Sequence, residues 1–274
     1  MTIHRDDLLR EYLRVAPLSR ALIRSKEIEL ILRKRPDGRI IDLGHGDGHF
    51  AAILARHGVR LFVGMDISLE ELRRARGRTA THLVVGDMQR APFRGGVFDG
   101  AISNCVLEHV ERIDATFREA HRMMKPGGRF IATVVADGYE ILLFWPRFFG
   151  RIGLRPAAKA YLTYIERRFV HQRYIPASEW IAEAEKAGLQ CTHKEPYIGE
   201  RRQMLMDLFL PGVVVARMMR ALTGREVLPV PRWPVSLISG WLDDHGALEK
   251  GANAFLVLEK SAGGGAEITP GGNS

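Results

Sequence analysis

A glycine-rich turn that follows a short apolar run constrains the fold of this chain more than any other feature. The segment "IIDLGHGDGHF", residues 40–50, has Gly44, Gly46 and Gly48 at alternate positions. The apolar run predicts a short strand, and the residues after the turn predict a helix that ends at Gly58. Such a turn lets a ligand approach the backbone and meet the free N–H groups of the helix N-terminus. It can also be a tight connection that binds nothing.

Strand and helix continue to alternate as far as the strand "RFIATVV", which begins at Arg129. The other predicted strands are "RLFVGMDI", "HLVVGD" and "FDGAISN", and the helices among them are "LEELRRARG" and "ERIDATFREAHRMMK". Ser68 is predicted to cap the first of these helices, with Glu71 as its capping-box partner. Alternating strands and helices predict an α/β fold with a parallel sheet covered on both faces.

The flanking segments follow other patterns. Residues 6–34 read as helical, and Pro17 is predicted to split them into two helices. Residues 178–188 are predicted to form a helix with Ser178 as its N-cap, and residues 253–260 are predicted to form a final strand. The segment before that helix is aromatic and basic, and the tail after the final strand is expected to be flexible.

Composition limits the classes of protein. With 274 residues and 46% hydrophobic residues, the chain can bury a substantial core. Two cysteines, Cys105 and Cys191, are too few for a disulfide framework or a cysteine-based zinc site, which fits a reducing compartment. The N-terminus lacks the apolar segment of a signal peptide, and no apolar run approaches the length of a membrane span. The net charge of +8 comes from scattered basic residues, which weakens the case for a nucleic-acid partner.

The spacing of the glycines argues against one class of ligand. The fingerprint of nicotinamide and flavin dinucleotide sites is G-x-G-x-x-G. With Gly46 as its second glycine, His49 stands where the third glycine is required. A nicotinamide oxidoreductase is therefore disfavoured, because the chain lacks the residue that distinguishes this class of site.

Polar residues follow the carboxyl ends of the next strands. Asp66 ends the second predicted strand, where an acid can accept hydrogen bonds from ribose hydroxyls. Asp87 and Met88 follow the third, where they can accept from an exocyclic amine and contact a purine face. The fourth ends in "SNCVLEHV". Open α/β sheets bind ligands at the carboxyl ends of their strands, so these residues are expected at one site.

In combination these motifs resemble the class I S-adenosylmethionine-dependent methyltransferases, in particular the ubiquinone/menaquinone-type and other small-molecule methyltransferases. The resemblance rests on "IIDLGHGDGHFA", "VGMDIS", "VVGDMQRAPFRGGVFDGAISNCVLEHV" and "REAHRMMKPGGRF", which cover about residues 38–135 in the order and spacing of the family. It implies S-adenosylmethionine as the cofactor. It also implies a Rossmann-like, doubly wound, mostly parallel seven-stranded sheet that ends in "NAFLVLEK", with N-terminal helices and a helical insertion that covers the substrate.

The resemblance implies a role for each matching position. The residues that would surround the methionine part of the cofactor are Asp42, Gly44, Gly46, Gly48 and Asn104, the last of them near the transferred methyl group. Those that would hold the nucleoside are Asp66 at the ribose hydroxyls, Ile67 packed on the adenine, and Asp87 and Met88 bound to the adenine. His45 departs from the family, which more often has cysteine or another small residue there, and is expected only to modulate affinity.

The resemblance and the composition together divide the chain into five regions. The predicted order is an N-terminal helical cap (1–37), a cofactor-binding Rossmann-like core (38–136), a substrate-covering region (137–250), the final sheet strand (251–260) and a flexible tail (261–274). The helical cap is expected to close over the cofactor, and the substrate-covering region is expected to build the acceptor pocket.

Methyl transfer is an in-line displacement, for which alignment of the nucleophile supplies much of the rate. A hydroxyl or a carbon acid also needs a base, and the candidates are His109, Glu108, His171 and Tyr174. His109 is expected close to the methyl group, unless it only ties its helix to the sheet. His171 and Tyr174 lie in the region that would cover the substrate, where a structural role stays open. No residues have a metal-ligand spacing, so no metal is predicted.

Two segments mix large apolar residues with arginines. They are "ILLFWPRFFGRIGLR", residues 141–155, and "MLMDLFLPGVVVARMMRALTGR", residues 204–225. Such segments can line an apolar pocket, form a helical cap, or dock on an anionic membrane surface. Lining an apolar pocket and docking on a membrane both predict a small acceptor that is hydrophobic or lipid-linked. The enzyme is expected in the cytoplasm and, in the docking alternative, at the periphery of a membrane.

Other functions stay open at this point. The chain could bind S-adenosylmethionine without transferring its methyl group, although the motifs are intact. An RNA methyltransferase is compatible with the charge. However, the sequence has no separate RNA-binding domain, and it has "SNCV" where methyltransferases of adenine or glutamine nitrogens have a tetrapeptide such as "NPPY". A small-molecule acceptor is therefore favoured over nucleic acid.

Overall fold

The structure, a computed structural model, is built around one seven-stranded sheet with helices on both faces. It describes residues 5–34, 36–79, 81–169, 174–210, 241–242 and 251–262. Within these ranges, no helix has both the length and the apolar character that crossing a membrane requires.

The sheet is mostly parallel. Its strands are β1 (Ile40–Leu43), β2 (Val63–Asp66), β3 (His82–Val85), β4 (Phe98–Asn104), β5 (Met124–Val135), β6 (Leu189–Tyr197) and β7 (Asn253–Lys260). They lie in the order β3-β2-β1-β4-β5-β7-β6. The strands β1 to β5 pair in parallel, whereas β7 runs antiparallel to both β5 and β6. The prediction of a doubly wound, mostly parallel seven-stranded sheet is confirmed.

The strand order reverses between β1 and β4. From β1 the chain adds β2 and β3 on one side, and it then returns to add β4 and β5 on the other. At such a reversal the connections leave over opposite faces of the sheet and open a crevice at the carboxyl ends of the strands. The crevice of this fold therefore lies beside Leu43 and Asn104, the last residues of β1 and β4.

Helices precede, separate and follow the strands. They are α1 (Arg5–Leu13), α2 (Leu18–Lys34), α3 (His49–Arg56), α4 (Leu69–Ala75), α5 (Ile113–Met123), α6 (Phe144–Arg151), α7 (Arg155–Phe169), α8 (Ala177–Lys186) and α9 (Glu200–Leu208). Pro17 separates α1 from α2 as predicted, and its carbonyl accepts a hydrogen bond from the Ala21 N–H at 2.9 Å. The helix expected to end at Gly58 is α3, which stops at Arg56.

Neighbouring strand residues point to opposite faces of the sheet, and both faces are buried. On one face, Ile40 and Ile131 pack against α1, α2 and α3. On the other, Ile41 and Phe130 pack against α5 and α8, where the Trp180 side chain is fully buried. Burial on both faces explains why the central strands are continuous apolar runs rather than alternating ones.

Several local predictions need correction. The predicted strands and helices do not include β6, α6 or α7. In β6 the less exposed side chains include Cys191, His193 and Glu195, so the apolar alternation that marks a strand is hidden. The prediction of Ser178 as an N-cap is wrong: α8 begins at Ala177 after Pro176, whose fixed φ suits a helix start.

The capping box at α4 is half formed. The Ser68 hydroxyl accepts from the Glu71 N–H at 3.3 Å, as predicted. The Ser68 N–H, however, donates to an Asp66 carboxylate oxygen at 2.8 Å rather than to Glu71. The Glu71 carboxylate instead pairs with Arg74 at 2.9 Å. Asp66 therefore fixes the start of α4.

Candidate active site

A cleft of about 400 Å³ opens at the reversal of strand order, beside the carboxyl ends of β1 and β4. Its walls come from four parts of the chain. The N-terminal helices contribute Tyr12, Arg20 and Arg24, and the segment after β4 contributes Cys105. The glycine-rich turn contributes Gly46 among others, and α4 with the turn after it contributes Glu71, Arg74 and Arg78. A cleft of this volume at this place is typical of a small-molecule or cofactor site.

The structure brings only part of the predicted cofactor site into this cleft. The predicted residues that line it are Asp42, Gly44, Gly46 and Asn104. The others lie along the same edge of the sheet: Gly48 before α3, Asp66 and Ile67 at the end of β2, and Asp87 and Met88 after β3. The predicted methionine side therefore lines the cleft, and the predicted nucleoside side lies along the sheet edge beyond it.

The three alternating glycines share a left-handed backbone but have different surroundings. Gly44 has φ +88°, and an added Cβ would lie 2.5 Å from Val106. Gly48 has φ +77°, and a Cβ there would lie 2.9 Å from the Ala75 Cβ. Gly46 has φ +58°, but a Cβ there would meet nothing within 4 Å. Internal packing thus requires the outer two, whereas the backbone of Gly46 is open to a ligand.

Asp66 holds the glycine-rich turn as well as the start of α4. Its Oδ2 accepts from the Gly46 N–H at 2.8 Å, and its Oδ1 accepts from the Ser68 N–H. Each carboxylate oxygen can accept a second bond, so two acceptor positions remain for the hydroxyls of a ligand. The neighbouring Ile67 side chain is 73% exposed, which leaves its apolar surface uncovered.

Asp87 and Met88 are already engaged in local structure. Asp87 precedes a short 3₁₀ turn, and its Oδ1 accepts from the Gln89 N–H at 2.9 Å. Met88 is half-buried against the core on the α5 side of the sheet. Both residues keep polar or soft surface at the carboxyl end of β3.

His45 is buried beneath the glycine-rich turn. Its Nδ1 lies 2.8 Å from Asp42 Oδ2, and its ring packs against Gly64, where an added Cβ would lie 2.5 Å away. Burial is the largest influence and opposes protonation, but the bond to Asp42 and the charges of Asp42, Asp66 and Asp47 together raise the pKa of His45. The departure from the family is thus accommodated by a glycine in β2 and takes up one oxygen of Asp42.

A buried carboxylate that the sequence analysis did not single out lies directly behind the cleft. Glu27 of α2 is fully buried. Its oxygens accept from the Arg24 guanidinium at 2.8 Å, the Asn104 amide at 2.9 Å, the Cys105 thiol at 3.0 Å and the Tyr197 hydroxyl at 3.0 Å. Burial alone would raise the pKa of Glu27, but the Arg24 charge and these bonds hold it below its ordinary value. Glu27 is therefore ionised.

The network around Glu27 fixes the segment after β4. The Asn104 side chain is turned into it, since its Oδ1 accepts from the Thr133 hydroxyl at 2.9 Å. Cys105 has φ +49°, which is uncommon for a residue with a side chain. Burial raises the pKa of the Cys105 thiol, so the thiol stays neutral and donates to Glu27. The backbone of Asn104 still faces Arg24, which donates to its carbonyl at 3.3 Å.

The candidate bases differ in environment. Glu108 is 1% exposed, its Oε2 has no hydrogen-bond partner, and burial raises its pKa to about 8. His109, the next residue, is exposed. Tyr174 is half-buried and stacked on Tyr139 with ring centroids 5.6 Å apart, and burial raises its pKa, which makes it a poor base at neutral pH. His171 lies outside the described residues.

Two arginines of α2 were not singled out from the sequence either. Arg20 and Arg24 are four residues apart on one side of α2, and both line the cleft. The signal was present in the sequence as a pair of cations spaced by one helical turn before the first strand. In the described part of the chain, no three His, Cys, Asp or Glu side chains are grouped so that they could hold a metal ion.

Comparison with known proteins bears on this site. A methyltransferase-domain family matches residues 41–132. The chain is 31% identical over 172 residues to the ubiquinone/menaquinone biosynthesis C-methyltransferase of Rubrivivax gelatinosus. This match covers 56% of this chain and 68% of the relative. The chain is 35% identical over 117 residues to the malonyl-[acyl-carrier protein] O-methyltransferase of Methylococcus capsulatus, but this covers only 40% of the chain and 42% of that relative.

The fold also matches a solved structure over nearly its whole length. An S-adenosylmethionine-dependent methyltransferase from Thermotoga maritima has a TM-score of 0.58 and 18% sequence identity, and the match covers 93% of this chain and 98% of that one. The matched family segment runs from β1 to β5, so it contains the glycine-rich turn and the ends of β2, β3 and β4. The chain therefore belongs to the class I S-adenosylmethionine-dependent methyltransferases, and S-adenosylmethionine is its methyl donor.

Proposed function

We propose that this enzyme methylates a small acceptor that is hydrophobic or lipid-linked, and that the donor lies in the 400 Å³ cleft. The observation that carries the proposal is that the open backbone of Gly46 and two arginines of α2 line the same cleft. S-adenosylmethionine supplies a methyl group already activated on a sulfonium, together with a carboxylate, an ammonium and a nucleoside. The cleft offers cationic, anionic and backbone groups that fit these parts.

The proposed cofactor contacts divide along the edge of the sheet. Arg20 and Arg24 suit the carboxylate of the methionine part, because both guanidinium groups line the cleft. The turn at Gly46 allows the closest approach of a ligand to the backbone. Asp66 has acceptor positions left for ribose hydroxyls, and the uncovered surface of Ile67 suits a planar base. Asp87 and Met88 would complete the adenine side.

The acceptor class is proposed from the apolar character of the helices after β5. Tyr139 and Tyr174 form a stacked pair, and Trp145 and Phe149 stack with centroids 5.8 Å apart. One relative is named for ubiquinone and menaquinone biosynthesis, which supports the proposed class of acceptor. A lipid-linked acceptor would require a cytoplasmic enzyme to reach the surface of a membrane.

We further propose Glu108 as the proton acceptor for a protic nucleophile. It is the candidate that is buried next to the segment after β4 and that keeps an unpartnered oxygen. A buried carboxyl with a pKa near 8 is half ionised in mildly alkaline solution, which suits a general base. The exposed His109 and the phenol of Tyr174 are less suited. The ionised Glu27 beside Cys105 favours a neutral Glu108 until the pH rises.

The test is a transfer assay with S-adenosylmethionine that carries a radiolabelled methyl group. The purified enzyme is offered a total lipid extract, an aqueous metabolite extract and RNA in separate reactions. We expect label in the organic phase of the lipid reaction, and less of it with Glu108→Gln. The exposed Glu111→Gln serves as the matched control. Label in RNA or in water-soluble products alone would contradict the proposed acceptor class.

A further inference from the structure

The turn between α6 and α7 exposes apolar side chains that the proposed catalytic site does not use. We call residues 148–159 the hairpin tip. Phe148 is 41% exposed, Ile152 53% and Leu154 50%. Phe148 and Ile152 are four residues apart, and the Ile152 N–H donates to the Phe148 carbonyl, so both lie on one side of the last turn of α6. Single exposed apolar residues are ordinary, but three at one tip form a patch.

The charges of the hairpin tip all have one sign. The sequence contains no acidic residue between Glu140 and Glu166. Arg151, Arg155 and Lys159 are exposed around the apolar side chains. Arg147, one helical turn before Arg151 on α6, is paired with Glu200 at the start of α9. An apolar tip surrounded by cations complements a surface that is apolar inside and anionic outside.

We propose that the hairpin tip docks on an anionic lipid bilayer. Phe148, Ile152 and Leu154 enter the interface, and the neighbouring cations contact lipid phosphates. The inference rests on the proposed function, because a lipid-linked acceptor gives the docking its purpose. The packing supports the placement: α6 packs on α9, α9 packs on α2, and α2 lines the cleft. The hairpin tip therefore follows a helix, α6, that packs through α9 on one wall of the cleft.

Vesicle sedimentation tests the docking without any cofactor or acceptor. The wild-type protein is mixed with vesicles of phosphatidylcholine alone and of phosphatidylcholine with phosphatidylglycerol. We expect binding to the anionic vesicles that weakens as salt is added. The variant Phe148→Ser/Ile152→Ser/Leu154→Ser should lose about tenfold or more in partitioning. Arg151→Gln/Arg155→Gln/Lys159→Gln should lose about fivefold per cation.

The control changes an exposed aromatic residue at the opposite end of the strands. Phe62, just before β2, is 37% exposed, and Phe62→Ser should bind vesicles as the wild type does. Unchanged affinity for S-adenosylhomocysteine verifies that the tip variants are folded. The inference is overturned if the wild type does not bind anionic vesicles, or if both tip variants bind these vesicles as well as Phe62→Ser does. If the enzyme binds vesicles but methylates no lipid, the docking proposal stands and only the proposed acceptor class is contradicted.

Discussion

Gly44, Gly46 and Gly48 show how one sequence motif can combine packing and function. All three have positive φ, yet only the two outer glycines are enclosed by neighbouring side chains. The middle one borders open space in the cleft. We propose that the absence of side chains at alternate positions has two causes: internal packing at the ends of the turn, and access for a ligand at its centre.

Replacing Gly46 or Gly44 with alanine should separate the effect on packing from the effect on ligand binding. Gly46→Ala should cost about 1–2 kcal/mol of unfolding free energy for the left-handed backbone and should also weaken S-adenosylhomocysteine binding. Gly44→Ala should cost roughly 3 kcal/mol or more, since its Cβ would also collide with the stiff side chain of Val106. Urea unfolding and calorimetry measure the two effects. Equal losses of stability would contradict the distinction.

Glu108 should make stability depend on pH. Burial raises its folded pKa to about 8, above its ordinary value of 4.5. The stability it contributes is therefore complete below that ordinary value and is lost as the pH rises towards 8. Compared with that of Glu108→Gln, the unfolding free energy of the wild type should fall by on the order of 4 kcal/mol across this pH window. Urea unfolding of both proteins at several pH values measures the difference, and a pH-independent difference would show that Glu108 is ionised throughout.

Part of the site could be predicted from single residues in the sequence. Asp42, Gly44 and Asn104 end predicted strands or follow them, and parallel strands bring their carboxyl ends together. Glu27 could not be predicted, because its partners Asn104 and Tyr197 lie 77 and 170 positions away. A helical pattern identifies the buried face of a helix, but it does not show which strand ends that face will contact.

At the scale of elements, α2 is tied to the sheet by one buried carboxylate. Glu27 receives hydrogen bonds from its own helix, from the residues after β4 and from Tyr197 at the end of β6. These bonds join the N-terminal helices to the inner side of the cleft. The position of Arg20 and Arg24 in the cleft therefore depends on Glu27.

Glu27→Gln should loosen α2. The charge-assisted bonds are lost and Arg24 keeps a half-buried charge without its counter-ion, which should cost about 2–4 kcal/mol. Hydrogen exchange should speed up in α2 and in the residues after β4. Glu29→Gln on the same helix, which removes partly buried pairs with Lys26 and Arg33, should cost about 1 kcal/mol, less than Glu27→Gln. Equal exchange in the two variants would refute the link.

Elements were predictable where pattern and burial agree. The strands β1 to β4 and β7 are short apolar runs that the sequence locates, whereas β5 begins at Met124, five residues before the predicted start at Arg129. In α7, by contrast, Tyr161, Leu162 and Ile165 recur at helical spacing and pack on the core, but the aromatic and basic character of the whole segment concealed this stripe. The start of α8 was misplaced because the helix begins at Ala177, directly after Pro176, which occupies the N-cap position without a side-chain hydrogen bond.

At the scale of the whole molecule, the order of the strands decides where chemistry can occur. The reversal between β1 and β4 opens the crevice, and the N-terminal helices and the segment after β4 form its walls. Neither strand end alone would enclose a ligand. We propose that the family core and the N-terminal helices together form the methyl-donor site and that the helices after β5 select the acceptor.

The most direct test of this account is calorimetry with two ligands. S-adenosylhomocysteine carries the amino-acid part that Arg20 is proposed to hold, and methylthioadenosine lacks it. The wild type should bind both, and Arg20→Ala should lose about tenfold in affinity for the first and little for the second. Asp66→Asn should weaken both, because it alters the proposed ribose contact. Failure of the folded wild type to bind either ligand would contradict the assignment of the cleft as the methyl-donor site.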